Sequence, residues 1–265
     1  MHNPFAELSA MIPMISADAM QAYVVLMFVL VVAGTLVDVI HKKSAKYFFQ
    51  SAKKAEAART REVPSGEKTS ILIKTVASDV LTSSEFCNQN RRLAHLLTMY
   101  GFIVYVITTA VLIFGHTDGV TPAPGIATGL WHLGAFSVSV GGYWFWFFIR
   151  VDVAAEGNPW YRIMRADLFV LSLLGSTTFA LLWSICVAAG AGMLTTICFL
   201  LFLFSSTVLF GGVLWSKFAH MFFKPAAAFQ KHIAEADGSN DNLPPPSDAP
   251  AIMGLGIKRE PPRHY

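Results

Sequence analysis

The sequence predicts an all-α integral membrane protein, a bundle of five transmembrane helices with its N-terminus outside and its C-terminus in the cytoplasm. Three observations predict it. Of the 265 residues, 54% are hydrophobic and only 14% charged, with a mean hydropathy of +0.50, which is more apolar surface than one soluble core of this length needs. Five apolar stretches are long enough to cross a hydrocarbon core of roughly 30 Å as helices, which satisfy their own backbone groups there. Finally, the Lys and Arg residues collect on one side of those stretches.

The first stretch runs from Met20 to Ile40 and holds one charge, Asp38, near its end. No Lys or Arg precedes it and no A-x-A site follows, so it reads as a span and not as a cleaved signal peptide. The second, Leu96 to Gly115, and the third, Thr128 to Ile149, carry no charged residue. Between Asp167 and Lys217 lie 49 residues without Asp, Glu, Lys or Arg, too many for one span and right for two, with Gly190 and Gly192 marking the turn.

Charge supplies the orientation. Eleven Lys and Arg residues lie between His41 and Arg92, three between Arg150 and Arg165, and six after Trp215, which accounts for all 20. The leading segment, the loop from His116 to Ala127 and the Gly190 turn have none. The positive-inside rule then puts the basic loops and the C-terminus in the cytoplasm. Four segments follow: an outer leader with the first span (1–40), a basic cytoplasmic loop (41–92), a four-helix membrane domain (93–232) and a cytoplasmic tail (233–265). The loop contains Ile73, Val76, Ala77, Val80 and Leu81 at helical spacing, with Lys74 and Asp79 on other faces. This predicts an amphipathic surface helix that lies on anionic lipid or docks a soluble partner. The tail, rich in Pro, Asp and Ser, is expected to be disordered, its last stretch a basic tether.

Ionisable residues near spans are the first place to look for chemistry. His95 opens the second span, with Arg91 and Arg92 four and three residues before it, and His220 closes the fifth, with Lys217 three residues before it. A b-type haem takes two axial imidazoles from facing helices, with cations near its propionates, and these residues supply those parts. The plainer reading is an interfacial histidine at each helix end with ordinary positive flanking. His116 and His132, at the outer ends of the second and third spans, are candidates for a second haem or satisfied loop histidines. Gly134, Ser137 and Gly141 form a small-residue face, suited to close helix packing or to a flat cofactor. The run Tyr143 to Phe148 reads as an interfacial aromatic belt that can also border a quinone. Asp152, Glu156 and Asp167, on the cytoplasmic rim, are candidates for a proton relay and read more simply as solvated loop charges. His232 is assigned no role.

Other classes are disfavoured. Cys87, Cys186 and Cys198 form no CxxC, so neither a disulfide framework nor a cysteine metal cassette is indicated. There is no P-loop, HExxH or GxSxG, no carboxylate in mid-span and no inverted repeat, which speaks against a carrier. No nucleic-acid partner is indicated.

The segments Cys87-Asn-Gln-Asn-Arg-Arg-Leu-Ala-His-Leu-Leu-Thr-Met-Tyr-Gly-Phe and Trp215-Ser-Lys-Phe-Ala-His-Met-Phe-Phe-Lys-Pro resemble the haem-bearing membrane subunits related to the nitrate reductase gamma chain. With Arg150-Val-Asp-Val-Ala-Ala-Glu-Gly-Asn-Pro-Trp-Tyr-Arg and the Gly-Leu-Gly-Ile-Lys-Arg-Glu-Pro-Pro-Arg-His-Tyr ending, the chain looks most like the quinone-interacting members that anchor adenylylsulfate reductase in sulfur-oxidising bacteria. The resemblance covers most of the chain from about residue 87. It implies an inner-membrane electron-transfer subunit that binds the alpha and beta subunits of adenylylsulfate reductase and links them to quinone through haem b. His95 and His220 match the positions of haem ligands, with Arg91, Arg92 and Lys217 beside them. The pattern departs from two-haem gamma chains, which place two histidines on each of the second and fifth helices. Here Tyr105 and the Phe202 region offer no second imidazole, so the resemblance implies one haem, with a cofactor-free anchor as the alternative.

Overall fold

A computed structural model of the chain describes residues 3–6, 15–41, 44–84, 86, 88–117, 123–152, 157–213, 220–239, 252–253 and 257–258. Among these lie eight α-helices: α1 (Ala17–His41), α2 (Ser44–Ala57), α3 (Ser65–Thr75), α4 (Gln89–Gly115), α5 (Gly125–Trp144), α6 (Leu168–Ala188), α7 (Met193–Gly211) and α8 (His220–Asp237). Two of them run on as π-helical turns, α3 through Val76–Leu81 and α5 through Phe145–Ile149. In the tail, Ile252–Met253 (β1) and Ile257–Lys258 (β2) make a short antiparallel ladder. The expectation of a disordered tail from residue 233 does not hold at its start, because α8 continues through Asp237; residues 240–251 lie outside the described residues.

Four helices, α1, α4, α6 and α7, are long and apolar enough to cross a membrane. The stretch expected as a third span is helical, as α5, but is not among these four, because its Gly, Ser, His, Trp and Tyr content dilutes its hydropathy. Trp131, Ala135 and Val138 of α5 are fully buried, while Ile126, Leu133 and Phe136 stand exposed on its other side. The expected fifth span is shorter than predicted. α7 ends at Gly211, where Gly212 donates its N–H back to Val208, and His220 belongs to α8; residues 214–219 between them lie outside the described residues.

The chain divides into two compact units. The first comprises Met1–Val37 and Leu93–Phe218, and the second comprises Asp38–Arg92 and Ala219–Tyr265. In the first unit, α6 and α7 form a hairpin through Gly190 and Gly192, whose φ values of 64° and 50° are the left-handed conformations that glycine supplies. Helices in an apolar solvent gain no hydrophobic drive from each other, so close packing and hydroxyl bonds must join them. Ser139 pairs with Thr177 at 3.1 Å, Ser176 with Ser206 at 2.9 Å, Tyr23 with Thr207 at 3.0 Å, and the Trp131 indole donates to Thr109 at 2.9 Å. An aromatic cluster fills one end. Phe5 sits edge-on to Trp131 and Trp183 at 5.6 and 5.1 Å, and Trp183 stacks on Phe202 at 6.0 Å.

At the other end of α5, Arg150 is 0% exposed. Its guanidinium uses all five N–H donors: two to the Asp167 carboxylate at 3.3 and 2.5 Å, and three to the carbonyls of Asn158, Pro159 and Arg162 at 3.2, 2.6 and 2.6 Å. The Trp146 ring lies 4.3 Å beneath it. Asp167, expected to be a solvated rim charge, is instead buried in this pair; Asp152 is exposed, and Glu156 lies outside the described residues. Beyond it Phe147, Phe148, Trp160 and Tyr161 are exposed, with Tyr143 stacked on Phe147 and Phe147 tilted against Trp160.

The second unit gathers α2, α3 with its π-helical extension, and α8. The C-terminus of α8 is capped from the loop before α3, where the Thr60 N–H and hydroxyl and the Arg61 N–H donate to the Asp237 carbonyl and the Arg61 side chain to that of Ala236. Gly238 follows with φ of 75°, and a Cβ there would meet the Thr60 hydroxyl. Only glycine fits both demands.

Breaking a buried ion pair from one side leaves a charge without a partner, at about 3–5 kcal/mol. Arg150→Ala and Asp167→Ala should therefore each lower the unfolding midpoint in detergent steeply. An Arg150→Met/Asp167→Leu double variant should be less damaged than either single variant, as read by scanning calorimetry.

Candidate functional site

The helix that carries His95 begins at a side-chain cap. The Asn88 carboxamide oxygen accepts the N–H groups of Asn90 and Arg91 at 2.9 and 3.2 Å. The two arginines then turn to local partners: Arg92 Nε donates to the Thr82 carbonyl at 2.6 Å, and the Arg91 guanidinium lies 5.7 Å from the Phe86 ring, which Lys224 also approaches at 5.3 Å. Arg91, Arg92 and His220 belong to the second unit and His95, half-buried, to the first. The His220 side chain and the whole of Lys217 lie outside the described residues. The expected set is thus distributed over two units, and His220 stands at the start of α8, not on the fifth span.

The small-residue face of α5 is a packing face. A Cβ on Gly134 would fall 2.8 Å from the Tyr105 nitrogen and 2.9 Å from the Gly101 carbonyl oxygen, and one on Gly141 would fall 2.7 Å from the Ala94 carbonyl oxygen. Backbone therefore meets backbone along the α4–α5 contact, and no flat cofactor fits there. His132 is equally committed. Its Nδ1 donates to the Thr128 carbonyl at 2.7 Å, and its Nε2 accepts from the Ser184 hydroxyl at 2.7 Å. An imidazole with both nitrogens engaged, beside the Trp131 ring at 4.9 Å, is not a ready iron ligand. The chemistry of His132 and the filled aromatic end do not fit a second haem. For one haem, only His95 stands among the described side chains as an imidazole near a span end that has the expected cations before it in sequence.

A polar cluster in the second unit involves a histidine for which the sequence offered no role. His232, on α8, bonds Asp79 through Nε2 at 2.7 Å and Glu235 through Nδ1 at 3.0 Å. Both nitrogens face carboxylates, an arrangement that favours the protonated ring. The bond to Asp79 raises its pKa above the ordinary 6.5, burial opposes this, and Glu235 adds to the rise. Burial pushes Asp79 upward, but hydrogen bonds from Ser84, His232 and Ser78 outweigh it and leave its pKa below the ordinary 3.8. Nothing in local sequence marks this pair, since 153 positions separate its members. The Arg150–Asp167 pair left a faint signal, two opposite charges at the two ends of one inter-helix loop.

Both shifts give the second unit a defined pH window. A raised histidine stabilises the fold while protonated and loses that contribution as pH climbs through its elevated value; a lowered aspartate loses its own as pH falls through its depressed value. The protection of α8 amides, with exchange taken relative to the intrinsic rate at each pH, should be greatest in mildly acidic buffer, between those limits, and should fall as pH rises beyond 6.5. A His232→Gln variant should lose the alkaline limb; exchange mass spectrometry across pH reads both.

Compared with protein-family models, characterised proteins and solved structures, the chain matches none.

Proposed function

We propose that this chain is the membrane subunit of an oxidoreductase complex in the bacterial cytoplasmic membrane. Five helices, α1 and α4–α7, cross the bilayer, with the basic segments in the cytoplasm. The subunit anchors the alpha and beta subunits of adenylylsulfate reductase and links them to quinone; His95 and His220 are the residues that would hold one haem b, and Arg91, Arg92 and Lys217 the cations that would balance its propionates. Such a haem would supply one-electron transfer chemistry. The protein itself contributes the apolar bundle, the imidazoles and the docking surface.

The likeness of the Arg-Arg-x-x-His and Ser-Lys-Phe-Ala-His segments carries this reading. Supporting it are the four helices long and apolar enough to cross a membrane, the dense internal packing of α5, and a second unit built from the most basic loop and the C-terminal helix. An exposed aromatic rim from Tyr143 to Tyr161 suits a membrane interface where a quinone can approach. One observation favours a second reading. The α4–α5 face is closed and His132 is fully bonded, as a cofactor-free anchor that only recruits the enzyme would have them.

A dithionite-reduced minus oxidised spectrum of the purified protein, with a pyridine haemochrome count, separates the two. The electron-transfer reading expects one haem b per chain, lost in His95→Ala and in His220→Ala while both variants still insert. His132→Ala should leave the spectrum unchanged. A colourless wild-type protein rejects the haem and leaves the anchor.

A further inference from the structure

Helix α3 and its π-helical extension are amphipathic the wrong way round for a unit surrounded by water. Thr75 is 1% exposed, and Asp79 faces inward onto His232. On the other side, Leu72, Ile73, Val76 and Leu81 are 46, 64, 43 and 49% exposed. Helical geometry accounts for the sorting. Ile71, Thr75 and Asp79 recur every four residues, and the wider i→i+5 turn that starts at Val76 keeps Asp79 on the inward side while it carries Leu81 round beneath Val76. The interior takes the hydroxyl and the carboxylate, and the apolar strip is left outside, where it needs apolar surroundings.

We propose that this strip lies in the headgroup region of the lipid bilayer, so that α3 and its extension rest along the membrane surface. Its place in the chain selects lipid. It lies on the connection between α1 and α4, both long and apolar enough to cross a membrane, so the segment returns to the bilayer at each end. Charge points the same way, because residues 42–92 hold eleven Lys and Arg against five Asp and Glu, complementary to an anionic leaflet. Lys74, exposed at the polar edge of the strip, is placed to meet phosphate while the apolar side chains sink about 5–10 Å. Size argues against a protein occupant, since four partly exposed side chains fall far short of the roughly 800 Å² per partner of a standard protein interface. The inference rests on the membrane reading of α1 and α4 and on no cofactor, so a colourless protein would leave it standing.

Site-directed spin labels read it on the full chain. Ile73→Cys, Val76→Cys and Lys74→Cys are made with Cys87, Cys186 and Cys198 replaced by Ala, and reconstituted in nanodiscs of phosphatidylcholine and phosphatidylglycerol. At positions 73 and 76, collisions with oxygen should exceed those with a water-soluble nickel chelate, and at position 74 the order should reverse. The wild-type chain gives an independent readout, with amide exchange over residues 70–81 slower in these nanodiscs than in phosphatidylcholine alone. Nickel access at 73 equal to that at 74 overturns the proposal. So does shielding of 73 that appears only when a soluble protein fraction is added, which would make the strip a protein-docking face.

Discussion

A guanidinium with none of its surface in solvent organises the rim of the first unit. Removing Arg150 from water is tolerable only because every one of its donors finds an acceptor and an aromatic face lies beneath its plane. Three of those acceptors are backbone carbonyls between Asn158 and Arg162, so the connection from α5 to α6 has to wrap around the side chain. The fourth and fifth bonds tie it to Asp167, the residue from which α6 starts. One side chain thus fixes where one helix ends, how the loop runs and where the next begins. The hydroxyl pairs between α5 and α6 can then form at their observed register.

The second unit solves a related problem with weaker groups. Asp79 is drawn inside by three hydrogen-bond donors, and the carboxylates on either side of His232 raise its pKa. Because Thr75 and Asp79 are turned inward, Leu72, Ile73, Val76 and Leu81 are left outside beside Lys74. In an aqueous unit that arrangement would be a liability. Beside a bilayer it follows from where the solvent changes.

Histidine in a bundle can be a ligand, a hydrogen-bonding strut or an interfacial charge, and the choice is made by what the two ring nitrogens meet. His132 meets Thr128 and Ser184 and serves as a strut between α5 and α6. His232 meets two carboxylates and serves as a charge. For His95 the neighbouring Arg-Arg-x-x-His motif supplies the expectation, which is why the redox proposal turns on it.

The sequence by itself determined the apolar helices, because hydropathy over some twenty residues is a local property that no later contact reverses. It determined the hairpin turn at Gly190 and Gly192 for the same reason, since backbone conformations with positive φ are decided by the residue that occupies them. Only the tertiary structure decided the partners. The stripe of Gly134 and Gly141 reads equally as a cofactor slot or a contact until α4 is seen to fill it. Asp167 reads as a rim charge until Arg150 reaches it across seventeen positions. His232 and Asp79 lie far apart in the chain, and no periodicity links them. α8 reads as the end of a span and a disordered tail until Gly211 and Gly212 stop α7 and a new helix starts at His220. Pairing depends on which surfaces meet, and that is a property of three dimensions which a linear pattern of polarity does not encode.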